Sequence, residues 1–294
     1  MIMTETLNQC PVCNSEKLEK QTEITDHFLS QETFGLEKCI KCKLLLTNPR
    51  PDEKSVVNYY KSDSYISHSN QSKSITGIIY KLVRNYALGK KLKMIERFSF
   101  KGKLLDYGCG TGHFLEKADK LGWQVQGVEP DETARENGVP TLQKNVVSSL
   151  PQLPEDAQFN VITLFHVLEH VHELDQTLNQ LIKLLDKNGV LYLALPNHLS
   201  KDAEHYGEYW AGYDVPRHLY HFNQRAVFQL SKNYGLNIVS TIPMKFDSYY
   251  VSMLSEKYMG KSLSFLRGLV NGYKSNRKAK RTKEYSSLIY VLTK

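Results

Sequence analysis

The sequence predicts an α/β protein built on a doubly wound, mostly parallel sheet. Three observations carry that expectation. Strand-like apolar runs alternate with helix-like runs from residue 103 to residue 196, the interval at which crossover helices join parallel strands. The stretch Lys103–Leu115, KLLDYGCGTGHFL, breaks from a strand into a glycine-dense loop and then a helix start. The length, 294 residues, suits one full α/β domain with appendages.

Four of the five cysteines form two Cys-x-x-Cys pairs, Cys10/Cys13 and Cys39/Cys42, with 25 residues between Cys13 and Cys39. This is the spacing of a four-thiolate Zn2+ site of the ribbon type. A disulfide framework needs an export signal, and MIMTETLNQCPVC has neither the charged nor the apolar part of one. Four protein ligands leave no open position, so the expected role of the ion is structural. The segment between the pairs is too short to form a core without it. Leu44–Leu46 reads as a short strand, stopped by Asn48-Pro49-Arg50-Pro51. A Tyr- and Ser-rich segment follows. Ile75–Phe98 has apolar residues at helical spacing and is expected to cover the sheet edge before the first strand.

The expected strands are Lys103–Asp106, Gln124–Val128, a weak Gly138–Leu142, Phe159–Phe165, Val190–Leu195, Leu236–Ile242 and Ser286–Leu292, making a seven-stranded sheet. Helices are expected at His113–Leu121, Leu174–Leu185 and Gln224–Tyr234. Ligands of such a sheet bind at the carboxyl ends of its strands, where Asp106, Glu129, His166 and Asn197 lie. The expected division is a zinc ribbon at 1–50, a linker and helical cover at 51–100, and the sheet domain at 101–294.

The glycine spacing narrows the ligand. Gly108, Gly110 and Gly112 follow Asp106 as D-x-G-x-G-x-G, and the third glycine of a dinucleotide fingerprint would fall on His113. No P-loop Gly-Lys-Ser/Thr is present. An acid before the loop disfavours pyrophosphate and suits an ammonium group. Glu129, at the end of the second strand, suits ribose hydroxyls. A ligand with a cationic amino-acid end, an adenosine end and no phosphate is S-adenosylmethionine.

These residues resemble those of class I S-adenosylmethionine-dependent methyltransferases with an N-terminal zinc ribbon. The resemblance covers about residues 8–240 and the last strand, and implies a Rossmann-like sheet whose seventh strand is antiparallel. It implies that Asp106, Gly108, Gly110, Gly112 and Glu129 bind the cofactor. The family's adenine contact follows the third strand as an acidic turn; the matching stretch Gln143–Val147 has no acid, and Asn145 or a backbone amide would serve. HVLEH, after the fourth strand, resembles a motif that puts His166 beside the methionine part. Its histidines and Glu169 are also metal-ligand types, although a helix start at the cofactor accounts for them more simply. The Tyr-rich segment resembles a linker bordering the active site, making Tyr60, Tyr65 and His68 substrate-side candidates. The long Pro196–Phe222 loop contains PRHLYHF, which resembles a motif of the same group. Trp210 and Tyr213 are expected at the substrate, and His218 or His221 is expected as general base.

The net charge of +7 is uneven. Residues 245–294 carry 11 Lys/Arg against three acids. A helical insertion at 245–285, before the last strand, holds nearly all of them. It could meet nucleic acid or an anionic membrane surface. No apolar run is long enough to cross a membrane, and the expected location is cytoplasmic. The expected activity is methylation of O or C on a small molecule such as a sugar, quinol, lipid or metabolite intermediate. RNA methylation through the ribbon and basic insertion is the alternative, and a non-catalytic cofactor-binding module is the third. The sequence has neither the Asn/Asp-Pro-Pro-Tyr/Phe motif of amino-methylating enzymes nor a catalytic cysteine motif for base methylation.

Overall fold

In the computed structural model, residues 3–60 and 75–294 are described, with backbone alone for 75–84. The expected substrate-side residues Tyr65 and His68 therefore lie outside the described residues. Strands β1 (Thr4–Glu5), β2 (Leu18–Thr25), β3 (Thr33–Cys39), β4 (Leu45–Thr47) and β5 (Arg50–Pro51) precede helix α1 (Ile75–Ile95). Next come β6 (Lys103–Tyr107), α2 (His113–Lys120), β7 (Gln124–Val128), α3 (Glu132–Glu136), β8 (Val146–Val147), β9 (Phe159–Phe165), α4 (Leu174–Leu184) and β10 (Leu185–Pro196). The chain ends with α5 (Lys201–Tyr206), β11 (Tyr220–His221), α6 (Gln224–Asn233), β12 (Asn237–Pro243), α7 (Asp247–Tyr258), α8 (Ser264–Thr282) and β13 (Ser287–Thr293).

A seven-stranded, mostly parallel sheet runs in the order β12-β13-β10-β9-β6-β7-β8. Its central pairs are parallel: Lys103 faces Gln124, Asp106 faces Gly127 and Thr163, and Val128 faces Val147. Leu104, Leu105, Val161, Ile162 and Leu164 are fully buried. Such continuous apolar runs mark strands covered on both faces. The sheet is the one the alternating runs predict.

The third strand is displaced from the expected Gly138–Leu142. Pro140 lacks the amide a ladder needs, and Pro140–Asn145 forms a 3₁₀ turn. The strand forms at Val146–Val147 instead. The long 196–222 connection also holds regular structure. Ser200 caps α5, its hydroxyl accepting the Ala203 N–H at 3.2 Å, and Tyr220–His221 forms β11.

The chain clusters into two compact units that interleave along the sequence. One comprises Met1–Lys61, His166–Asp175 and Leu193–Val291; the other comprises Ser62–Phe165, Gln176–Tyr192 and Leu292–Lys294. The cysteine-bearing segment thus clusters with residues from the chain's second half.

The first unit contains a four-stranded antiparallel sheet, β11-β4-β3-β2. Glu37 faces Leu46, and Leu46 faces Tyr220. Ile24, Phe34, Leu36, Leu45, Tyr59 and Val215 form a core beneath it. In the second unit, Leu92 and Ile95 of α1 are buried, and the Tyr192 hydroxyl donates to the Ile95 carbonyl at 3.3 Å. Phe114 of α2 meets Phe165 edge-on at 5.3 Å.

Candidate active site

In the second unit, β6 ends at a loop in which Gly108, Gly110 and Gly112 all take left-handed φ, +73°, +53° and +77°. A Cβ disfavours that conformation, which explains glycine at alternate positions. Among the described residues nothing lies within 4 Å of the point where a Gly110 Cβ would sit. Gly127 answers the opposite need. A Cβ there would stand 2.7 Å from Cys109 Sγ and 2.8 Å from Leu115 Cδ1, so its absence lets the loop pack onto β7.

Two carboxylates flank the loop. Asp106 is buried and accepts a hydrogen bond from Thr163 Oγ1 at 2.5 Å. Burial pushes its carboxyl up to about 7, against the pull of Thr163 and Lys91. Glu129 accepts the Gly110 N–H at 2.7 Å on one oxygen and the Asp131 N–H at 3.0 Å on the other. Asn145 precedes the third strand rather than following it, and its amide donates to the Val125 carbonyl at 3.0 Å. The loop, Asp106 and Glu129 thus come together as expected, while the Asn145 side chain is engaged by β7. The donor set fits a ligand with an ammonium group and ribose hydroxyls: a buried carboxylate, a second carboxylate at a strand end, and a glycine loop between them.

A second cluster lies in the first unit. His166 follows β9 in a left-handed conformation, φ +60°. Its Nδ1 stands 3.4 Å from Glu169 Oε1 and its Nε2 3.1 Å from Asp247 Oδ2. Burial lowers its basicity, but the two carboxylates prevail and raise it to about 9. Glu169 is fully buried, and neither of its oxygens has a hydrogen-bond partner among the described residues. Glu169, His170 and His218 each bring one polar atom within 4.8 Å of the others. His218 donates from Nδ1 to the Gly212 carbonyl at 3.0 Å, which leaves Nε2 with the lone pair. His170 donates from Nδ1 to the Arg217 carbonyl at 2.9 Å; burial and the neighbouring His218 lower it to about 4.

His221 is placed differently. Thr47 Oγ1 donates to the His218 carbonyl at 2.7 Å and so accepts from His221 Nε2 at 3.1 Å. The other nitrogen, Nδ1, is buried without a partner among the described residues. Burial, with His218 and His198 nearby, holds His221 well below its ordinary value, and it stays neutral. Trp210 is buried and donates its indole N–H to Asp202 at 2.9 Å. Tyr213 stacks edge-on against both Trp210 and His221. Trp210 and Tyr213 line a small cleft with His27, Phe28 and Tyr258. Glu169 is absent from the expected sites, although its spacing from His166 and His170 in HVLEH was available as a signal.

The four cysteines form a third site. Their sulfurs lie within 4.8 Å of one another, and Cys10–Cys42 and Cys13–Cys39 are 3.5 and 3.4 Å apart. A disulfide needs about 2.05 Å. A tetrahedron with metal–sulfur bonds of about 2.3 Å has edges of about 3.8 Å, close to what is seen.

A parallel sheet with a glycine loop and an acid at the ends of adjacent strands is an arrangement found in nucleotide-binding α/β proteins. Residues 81–241 match the family model described as a methyltransferase domain, more than half of the chain. The chain belongs to that methyltransferase-domain family. It is 33% identical over 105 residues to a ubiquinone biosynthesis O-methyltransferase of Pelagibacter ubique, covering 34% of this chain and 44% of that one. To the protein of the same name from Proteus mirabilis it is 30% identical over 112 residues, covering 35% and 45%. The match thus spans less than half the length of these relatives. A mycolic acid cyclopropane synthase complexed with SAH shares the fold at a TM-score of 0.55 and 15% identity, over 83% of this chain and 99% of that one.

Proposed function

We propose that the protein transfers a methyl group from S-adenosylmethionine to a hydroxyl oxygen of a small molecule of the quinol class, with His218 as general base. The observation that carries the base assignment is the His218 tautomer. Its Nδ1–H is committed to the Gly212 carbonyl, so Nε2 is the proton-accepting nitrogen, and the Glu169 carboxylate beside it stabilises the imidazolium that forms. His221, buried and neutral, orients the segment through Thr47. The oxygen nucleophile is favoured over carbon by the O-methyltransferase relatives.

The cofactor supplies an electrophilic methyl on a sulfonium leaving group. Asp106 would hold its ammonium and Glu129 its ribose hydroxyls, while Gly110 leaves room for close approach. Holding nucleophile and methyl in line supplies roughly 7–11 kcal/mol of the barrier reduction. His218 Nε2 would take up the acceptor's O–H proton. Tyr213 and Trp210, on the cleft wall, are the substrate-side residues. Cys10, Cys13, Cys39 and Cys42 hold a structural Zn2+.

The test is transfer from methyl-labelled cofactor to separate panels of catechols and quinols, sugars, and RNA. Label is expected in the catechol and quinol panel. His218→Ala should abolish transfer while cofactor binding persists. Label in RNA or sugars alone, or cofactor bound with no transfer to any acceptor, would overturn the proposal.

A further inference from the structure

Helices α7 and α8 meet through small residues. The buried face of α8 is Gly268, Gly272, Ser275 and Ala279, and on α7 Ser248, Ser252, Ser255 and Glu256 are buried. A Cβ on Gly268 would stand 2.6 Å from Met253 Cα, and one on Gly272 2.8 Å from Tyr249 Cα. The two backbones therefore run almost in contact. Polar links hold the seam: Ser248 Oγ donates to the Gly272 carbonyl at 3.2 Å, and Asn271 Nδ2 donates to Glu256 Oε1 at 2.8 Å.

The large apolar side chains of α8 point elsewhere. Phe265, Leu266, Val270 and Tyr273 are 53–61% exposed, and Leu263, at the turn before the helix, is 70% exposed. A helix on a water-facing protein surface buries such residues. Small residues at the seam with apolar side chains outside is how helices pair in lipid. At 3.6 residues per turn, Phe265, Leu266, Leu269, Val270 and Tyr273 fall within an arc of about 140°. Further along, Arg277 and Lys280 continue that arc, with Lys274 and Arg281 on its border. No acid occurs in α8. One face of the helix is thus apolar in its first half and cationic in its second.

We propose that this face docks on an anionic phospholipid bilayer, with the apolar arc at the acyl boundary and the cations on lipid phosphates. The apolar part is about 12 Å long at 1.5 Å per residue, far short of a bilayer core, so the hairpin lies on the surface. Charge complementarity decides for lipid. A polynucleotide would engage only the basic half and leave the apolar arc in water. A second copy of this helix would bring no acid to meet the cations.

The test is co-sedimentation of the full chain with phosphatidylcholine vesicles and with vesicles containing one quarter phosphatidylglycerol. Binding to the anionic vesicles is expected to be about tenfold tighter, since each surface cation contributes several-fold. The paired changes Phe265→Asp with Leu266→Asp, and Arg277→Glu with Arg281→Glu, should each weaken it about tenfold or more. Unchanged cofactor binding shows that these variants remain folded. No vesicle binding, or binding indifferent to the apolar pair, would overturn the proposal. So would self-association or RNA retention in place of vesicle binding.

Discussion

Arg217 and Asp26, 191 residues apart, form a two-pronged buried ion pair: Nη2 donates to Oδ1 at 2.7 Å and Nη1 to Oδ2 at 3.3 Å. The same carboxylate accepts the N–H groups of Phe28, Leu29 and Ser30, closing the β2–β3 turn. Removing one partner of such a pair strands the other charge and costs about 3–5 kcal/mol. Arg217→Met is expected to lose that much in urea unfolding. Burial pushes the Asp26 carboxyl up, but Arg217 and the Ser30 amide hold it below its ordinary 3.8. The pair therefore stabilises fully above pH 3.8 and loses its effect as pH falls through the lower folded value. Wild type and Arg217→Met should converge in stability only in strong acid.

His166 presents the opposite sign. Its folded value of about 9 exceeds the ordinary 6.5, so its contribution is fully present below pH 6.5 and is lost as pH rises through about 9. His166→Asn keeps a residue that tolerates left-handed φ but removes the charge between Glu169 and Asp247. The melting-temperature gap between wild type and variant should be widest near pH 6 and close above pH 9.

Asp106 should make cofactor binding pH-dependent. With its carboxyl at about 7 in the free protein, a proton competes with the ligand's ammonium below that pH. Calorimetry at pH 6 should show affinity about tenfold weaker than at pH 8 from this group. Asp106→Asn should bind weakly and lose that dependence. An unchanged pH profile in the variant would remove Asp106 from the ammonium site.

Elemental analysis should find one zinc per chain. Cys39→Ser should lose the metal and expose the β2–β3 hairpin to protease, because the thiolates rather than a large core fix its ends. Cys109→Ser, in the glycine loop, should leave the zinc content unchanged.

Local features were legible in the sequence. The strands declare themselves as apolar runs, KLLDYGCGTGHFL as a strand–loop–helix, and the cysteines by spacing. Pro140 was a readable warning against a strand at Gly138–Leu142, and Ser200 a readable cap inside what looks like a loop. Long-range pairings were not legible. Nothing near Asp26 announces Arg217, and no local pattern marks Tyr220–His221 as the partner of Leu45–Leu46. Trp210 and Tyr213 stood out in the sequence as expected substrate-side residues, but their contacts with Asp202 and His221 are supplied by tertiary packing.

The strand β11 has a consequence for biogenesis. The cysteine-bearing sheet is complete only when Tyr220–His221 pairs with β4. A nascent chain that has emerged as far as Pro196 already carries all four thiols, yet its sheet ends at β4 as an open edge. Closure waits for some 175 further residues beyond that strand, a contact of high sequence separation and therefore slow to form. A metal on the four thiolates would help hold the early hairpin in register over that interval, so zinc limitation during synthesis is expected to lower the yield of closed sheet.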